Sequence, residues 1–124
     1  MTQLFDPPLP PGCPPESATS RSQDAFRIVK FSIPTLEDFQ SHEQLGLAPS
    51  VEPCRRLSLS IFNSYHQANH RRKLSPHLGD YIAYAKLTAD HGVISLPNGQ
   101  GHMEWWAYSG MVNPDEFKVV SGEH

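Results

Sequence analysis

Residues 65–73 read YHQANHRRK and concentrate groups able to do chemistry. His66 and His70 stand four apart, so a helix would put both imidazoles on one face. That is the spacing of the histidines in HExxH, where the intervening glutamate serves as base. Here the equivalent residue is Gln67, which cannot take up a proton. A third ligand would have to come from His77, His91, His102 or Glu104, and the adjacent Arg71, Arg72 and Lys73 oppose a divalent cation. The reading is therefore no metal site and no cofactor, with His66 and His70 as the residues to test for one. The same cations, with Arg55 and Arg56, form a basic cluster suited to carboxylates or phosphates, because arginine forks match both.

A second candidate surface lies in VISLPNGQGHMEWWAYSG, where Asn98-Gly99 suits a type I′ hairpin turn. Alternation along paired strands would put Ile94, Leu96, Met103, Trp105 and Ala107 on one face. Ser95, His102, Glu104, Trp106 and Tyr108 would share the other. Trp105 reads as core, and Trp106 as partly exposed beside Tyr108. Exposed Trp and Tyr are favoured at binding hot spots. His102 and Glu104, near His66 or His70, could also serve a general acid/base site. Nothing in the chain matches GxSxG, a P-loop, GxGxxG or a paired-cysteine metal motif.

The net charge of −3 is unevenly spread. Residues 51–77 hold one acid against five bases, whereas residues 78–124 hold six acids against two. This argues against general nucleic-acid binding but leaves a local basic surface. The two cysteines, Cys13 and Cys54, are too few for a disulfide framework and read as reduced thiols of a cytoplasmic protein. The segment MTQLFDPPLPPG lacks the basic start and apolar run of a signal peptide. No stretch approaches the ~18 apolar residues of a membrane span.

The elements that must position these groups follow from pattern. Of 12 prolines, six fall within the first fifteen residues. Residues 1–24 therefore read as a proline-rich flexible arm, with Leu4, Phe5 and Leu9 as anchors if it docks. Residues 25–33, AFRIVKFSI, alternate as a strand that Pro34 ends. Thr35 with Asp38 resembles a capping box, and Gly46 a helix stop. The stretch RRLSLSIFNSYHQANHRRKL mixes both periods and is read as a helix from about 58 to 72. Residues 74–92 read as a further helix closed by Gly92, with Gly79 as its weak point. Asn113-Pro114 marks a turn before an edge strand around Phe117 to Val120.

The resulting architecture is a small α+β domain over residues 25–124. It would have three or four mostly antiparallel strands, with two or three helices packed on one face. The functional expectation is a non-enzymatic interaction protein (an adaptor, inhibitor or small subunit). A protein partner would be bound through a basic helix end and an aromatic hairpin face: Arg55, Arg56, Tyr65, Arg71, Arg72, Lys73, Trp106 and Tyr108. The alternatives are a nucleic-acid-binding module using the same patch and a small histidine- or metal-dependent enzyme.

Overall fold

The computed structural model describes residues 4–5, 8–47 and 49–121. Pro7 of the proline-rich run and His124 lie outside them. Among the described residues six strands form one antiparallel sheet in the order β4-β5-β2-β1-β3-β6. They are β1 (Gln23–Val29), β2 (Leu59–Phe62), β3 (Tyr81–Leu87), β4 (Gly92–Ile94), β5 (His102–Ala107) and β6 (Lys118–Val120). Three helices accompany them: α1 (His42–Leu45), α2 (Pro53–Arg56) and α3 (Tyr65–Leu74). The fold is thus α+β, with more strands than the three or four expected.

Two of the extra strands come from segments whose pattern favours helices. Residues 81–87, YIAYAKL, run as β3 and pair with β1 from Gln23↔Leu87 to Val29↔Tyr81. Both faces of β3 carry buried residues, Ile82 on one and Ala83, Ala85 and Leu87 on the other. A strand covered on both sides loses the polar alternation that identifies it in sequence, and its alanines imitate a helix. Residues 59–62 form β2, with Leu59 and Ile61 inward, and the helix begins only at Tyr65. Ser64 ends the strand and starts the helix, its hydroxyl accepting from the Gln67 N–H at 3.2 Å.

Other expectations shift by less. The first strand stops at Val29, and Phe31 and Ile33 lie exposed. The carboxylate of Asp38 accepts from the Lys30 N–H at 2.7 Å and the Thr35 N–H at 3.1 Å, so the chain bends out of the sheet there. Gly46 closes α1 at φ 69°, as its position suggests. The hairpin turn is wider than Asn98-Gly99. Asn98 Oδ1 accepts from the Gln100 and His102 N–H groups, and Gly101 takes the left-handed backbone at φ 72°. The paired faces are as expected, with Val93↔Trp106 and Ile94↔Trp105.

The core lies on both sides of the sheet. One face gathers Ala25, Val29, Leu59, Ile61, Met103 and Trp105, capped by Phe39 and Phe117 from short 3₁₀ turns. Burying each large aromatic there contributes about 2–3 kcal/mol. The other face packs Phe26, Phe62 and Ile82 beneath Ala68 of α3. α2 lies over that same face, where the Trp106 indole N–H donates to the Cys54 carbonyl.

The chain before β1 lies along the domain. Thr19 pairs with Ile94, and Phe5 with Tyr108. The Arg21 guanidinium donates to the carbonyls of Ile94 and Ser95 at 2.7 and 2.9 Å. Cys13 and Cys54 are joined as a disulfide, with Cα atoms 5.6 Å apart. This corrects the reading of two reduced thiols: 41 positions separate them in sequence, and only the fold brings them together. No helix among the described residues is long and apolar enough to cross a membrane.

Candidate functional site

β2 and β5 build the floor of a groove. Their register sets Ser60 opposite Glu104 and Phe62 opposite His102, so Ser60, His102 and Glu104 share one face. Neighbouring β1 meets β2 at Phe26↔Phe62. Further along, the Arg27 guanidinium bridges the two strands, donating to the Ser60 carbonyl at 2.8 Å and to the Asp38 carbonyl at 2.8 Å. Arg27 also lies over the Phe39 ring, 5.4 Å from its centroid. Burial pushes the Arg27 guanidinium down to about 10, opposed by the nearby Asp38 charge. It stays charged at neutral pH and acts as a structural staple.

One wall is α3, which turns Gln67, His70, Arg71 and Leu74 toward the groove. The other is the segment through α1 and α2, contributing Leu45, Leu47, Val51 and Arg55. The groove is partly open to solvent and its volume is about 650 Å³, within the range of ligand pockets.

The floor chemistry is specific. Ser60 Oγ and His102 Nε2 lie 3.0 Å apart. The His102 ring packs 5.3 Å from that of Phe62. Burial holds His102 below the usual histidine range; Arg55 and Arg71 push the same way, and Glu104 opposes them. The neutral form of His102 is thus favoured, and its ring nitrogen can share a hydrogen bond with the serine hydroxyl. The nearest carboxylate does not orient it. Glu104 Oε2 instead accepts from Arg55 Nε at 3.2 Å and Ser58 Oγ at 3.4 Å. A serine–histidine–carboxylate relay requires the acid on the second imidazole nitrogen, and this arrangement does not supply it.

The basic and aromatic residues singled out in the sequence separate in space. Arg55 and Arg71 line the groove. Arg56 turns away, pairing with Glu43 at 2.6 Å and donating to the Leu47 carbonyl at 3.1 Å. Arg72 folds back on Asn69 Oδ1 at 2.7 and 3.1 Å, whereas Lys73 is exposed outside the groove lining. Tyr65 packs beside the Phe26–Phe62–Ile82 cluster on the inner side of α3. Trp106, expected to be partly exposed, is 1% exposed, and its indole N–H donates to the Cys54 carbonyl at 2.9 Å. The cause is α2, which sits over that end of the sheet. Tyr108 is half-buried against Phe5, with its hydroxyl 3.0 Å from Ser20 Oγ.

His66 is exposed on α3, and His70 faces the groove. No three His, Cys, Asp or Glu residues are grouped to hold a metal among the described residues. His91 has a structural place: its Nδ1 accepts from the Thr88 N–H at 2.9 Å, and its Nε2 lies 3.1 Å from Glu116 Oε1.

Sequence reading missed Ser60 as a site residue, though the alternation in RLSLSIF carried it. It also missed Phe31, Leu45 and Leu47, apolar residues left on the groove lining. No protein-family model, curated protein or solved structure matches this chain.

Proposed function

We propose that this protein binds another protein, taking an extended acidic segment with apolar anchors into the groove over β2 and β5. The observation that carries this reading is the lining: exposed Phe31, Leu45, Leu47 and Leu74 stand beside Arg55, Arg71 and Lys30 in one cleft. Apolar surface of this kind supplies desolvated contact, while cations steer the approach and fix orientation. Of the three acids lining the cleft, Asp38 accepts backbone N–H groups and Glu104 pairs with Arg55, which leaves exposed Glu37 against Lys30 and Arg71. A carboxylate from outside would therefore meet a modest excess of positive charge.

A nucleic-acid partner is less favoured. Stacking platforms place several exposed aromatics beside the cations, but Tyr65 and Trp106 are folded inward here, and of the lining phenyl rings Phe31 is exposed while Phe62 is buried. The net charge of −3 points the same way. We also place the working form in oxidising surroundings instead of the cytoplasm, because a disulfide persists there.

The test is fluorescence anisotropy with labelled glutamate- and leucine-rich peptides at low salt. Arg71→Ala should weaken binding about tenfold, as the loss of one charge-assisted contact does. Arg72→Ala, already satisfied by Asn69, should change it little. Peptide binding that ignores both Arg71→Ala and Arg55→Ala, or no binding at low salt, removes the reading.

A further inference from the structure

The wall formed by residues 41–47 and 49–58 is weakly built. It is a long connection between the 3₁₀ turn at Leu36–Phe39 and β2, and its two helices have four residues each. Helices that short do not hold themselves together in water. A few tethers fix the wall. Arg56 joins α2 to α1 through Glu43. Trp106 donates to the Cys54 carbonyl, and Arg55 reaches Glu104 on the floor. The one covalent tether described is the Cys13–Cys54 disulfide, which ties the proline-rich chain to α2. Cys54 and Arg55 are adjacent, so the residue that anchors the wall neighbours the one that sets the groove charge.

From this placement we infer that the disulfide is a redox latch on the groove wall. The inference rests on the groove reading for its consequence, but its mechanism can be measured without a ligand. In the oxidised form the strap pins α2 over Trp106 and keeps Leu45, Leu47 and Arg55 in line. Reduction needs a thiol reductant of the glutathione class. Its thiolate attacks the bond from the half-buried Cys13 side, forming a mixed disulfide and expelling Cys54 as thiolate. A second reductant thiol then releases Cys13. The protein gains two protons and two electrons, and the reductant leaves as its own disulfide. With the strap released, α1 and α2 are held by noncovalent contacts alone. The wall loosens, while the sheet and α3, which do not contain either cysteine, keep their structure.

The experiment is amide hydrogen exchange on the full chain, oxidised and then reduced with glutathione, with Cys13→Ser as the reductant-free counterpart. Exchange over residues 41–58 should rise about tenfold or more, while β1, β3 and α3 stay protected, as local opening predicts. Cys13→Ser without reductant should reproduce that pattern. Unchanged exchange over 41–58, or an equal rise throughout the chain, overturns the latch. Peptide anisotropy on the same samples separates this outcome from the parent reading. Binding by the oxidised form that falls about tenfold on reduction supports both. Selective loosening without any peptide binding leaves the latch standing and removes the acidic-segment partner.

Discussion

Gly79→Ala separates two accounts of residues 74–92. Were this segment helical, alanine would gain about 1 kcal/mol over glycine. In the structure Gly79 sits at φ 154° and ψ 167°, a backbone region that L side chains rarely adopt. A Cβ there would press on the Val29 carbonyl, with the carbonyl carbon at 2.6 Å and Ile28 Cγ2 at 3.2 Å. The obstacle is backbone of the central strand β1, so it cannot swing aside as a side chain would. Relief requires moving β3 away from β1 at the Val29↔Tyr81 end of their pairing. Backbone strain of about 1–3 kcal/mol and overpacking of similar size together give about 4 kcal/mol lost. For 124 residues, at about 4 °C per kcal/mol, that lowers Tm by about 15 °C. Urea unfolding followed by the fluorescence of Trp105 and Trp106, with a thermal melt, reads the effect. A midpoint that stays put or rises would refute the close β1–β3 approach and return the segment to a helix.

Two further outcomes follow from the floor and the α2 contact. His102 should titrate below about 6.5 by NMR, because burial disfavours its charged form. The unfolded chain then binds the extra proton first, so stability rises with pH between the folded value and about 6.5 and is flat above it. His102→Gln should flatten that window, and titration at or above the ordinary histidine value would contradict the partial burial of the His102 ring. Trp106→Phe keeps the buried ring but strips the hydrogen bond to the Cys54 carbonyl. A loss of about 1–2 kcal/mol in urea midpoints is expected, and a loss of only a few tenths would mean that α2 does not rest on the indole.

Much of the local structure is written in adjacent residues. Asp38 reaching back to the Thr35 N–H, Gly46 ending α1, the faces of the 92–107 hairpin and the turn at Asn113 are all set within a few positions. The basic character of residues 55–73 was likewise plain. Which of those cations meet a groove was not, because Arg56 and Arg72 are claimed by Glu43 and Asn69.

The remaining features depend on partners distant in sequence. β3 looks helical by itself and becomes a strand because β1 and β6 flank it and both its faces are covered. Trp106 has the alternation of an outward residue, but α2, about fifty positions earlier, closes over it. Cys13 and Cys54 give no local sign of each other, and the pairing of Ser60 with His102 follows from the β2–β5 register alone. Turns and caps are decided by hydrogen bonds a few residues long, which a sequence displays directly. Burial, strand pairing and disulfide closure are decided by which segments the folded chain stacks together, and the partners of β3, Trp106, Cys13 and Ser60 lie 34 or more positions away.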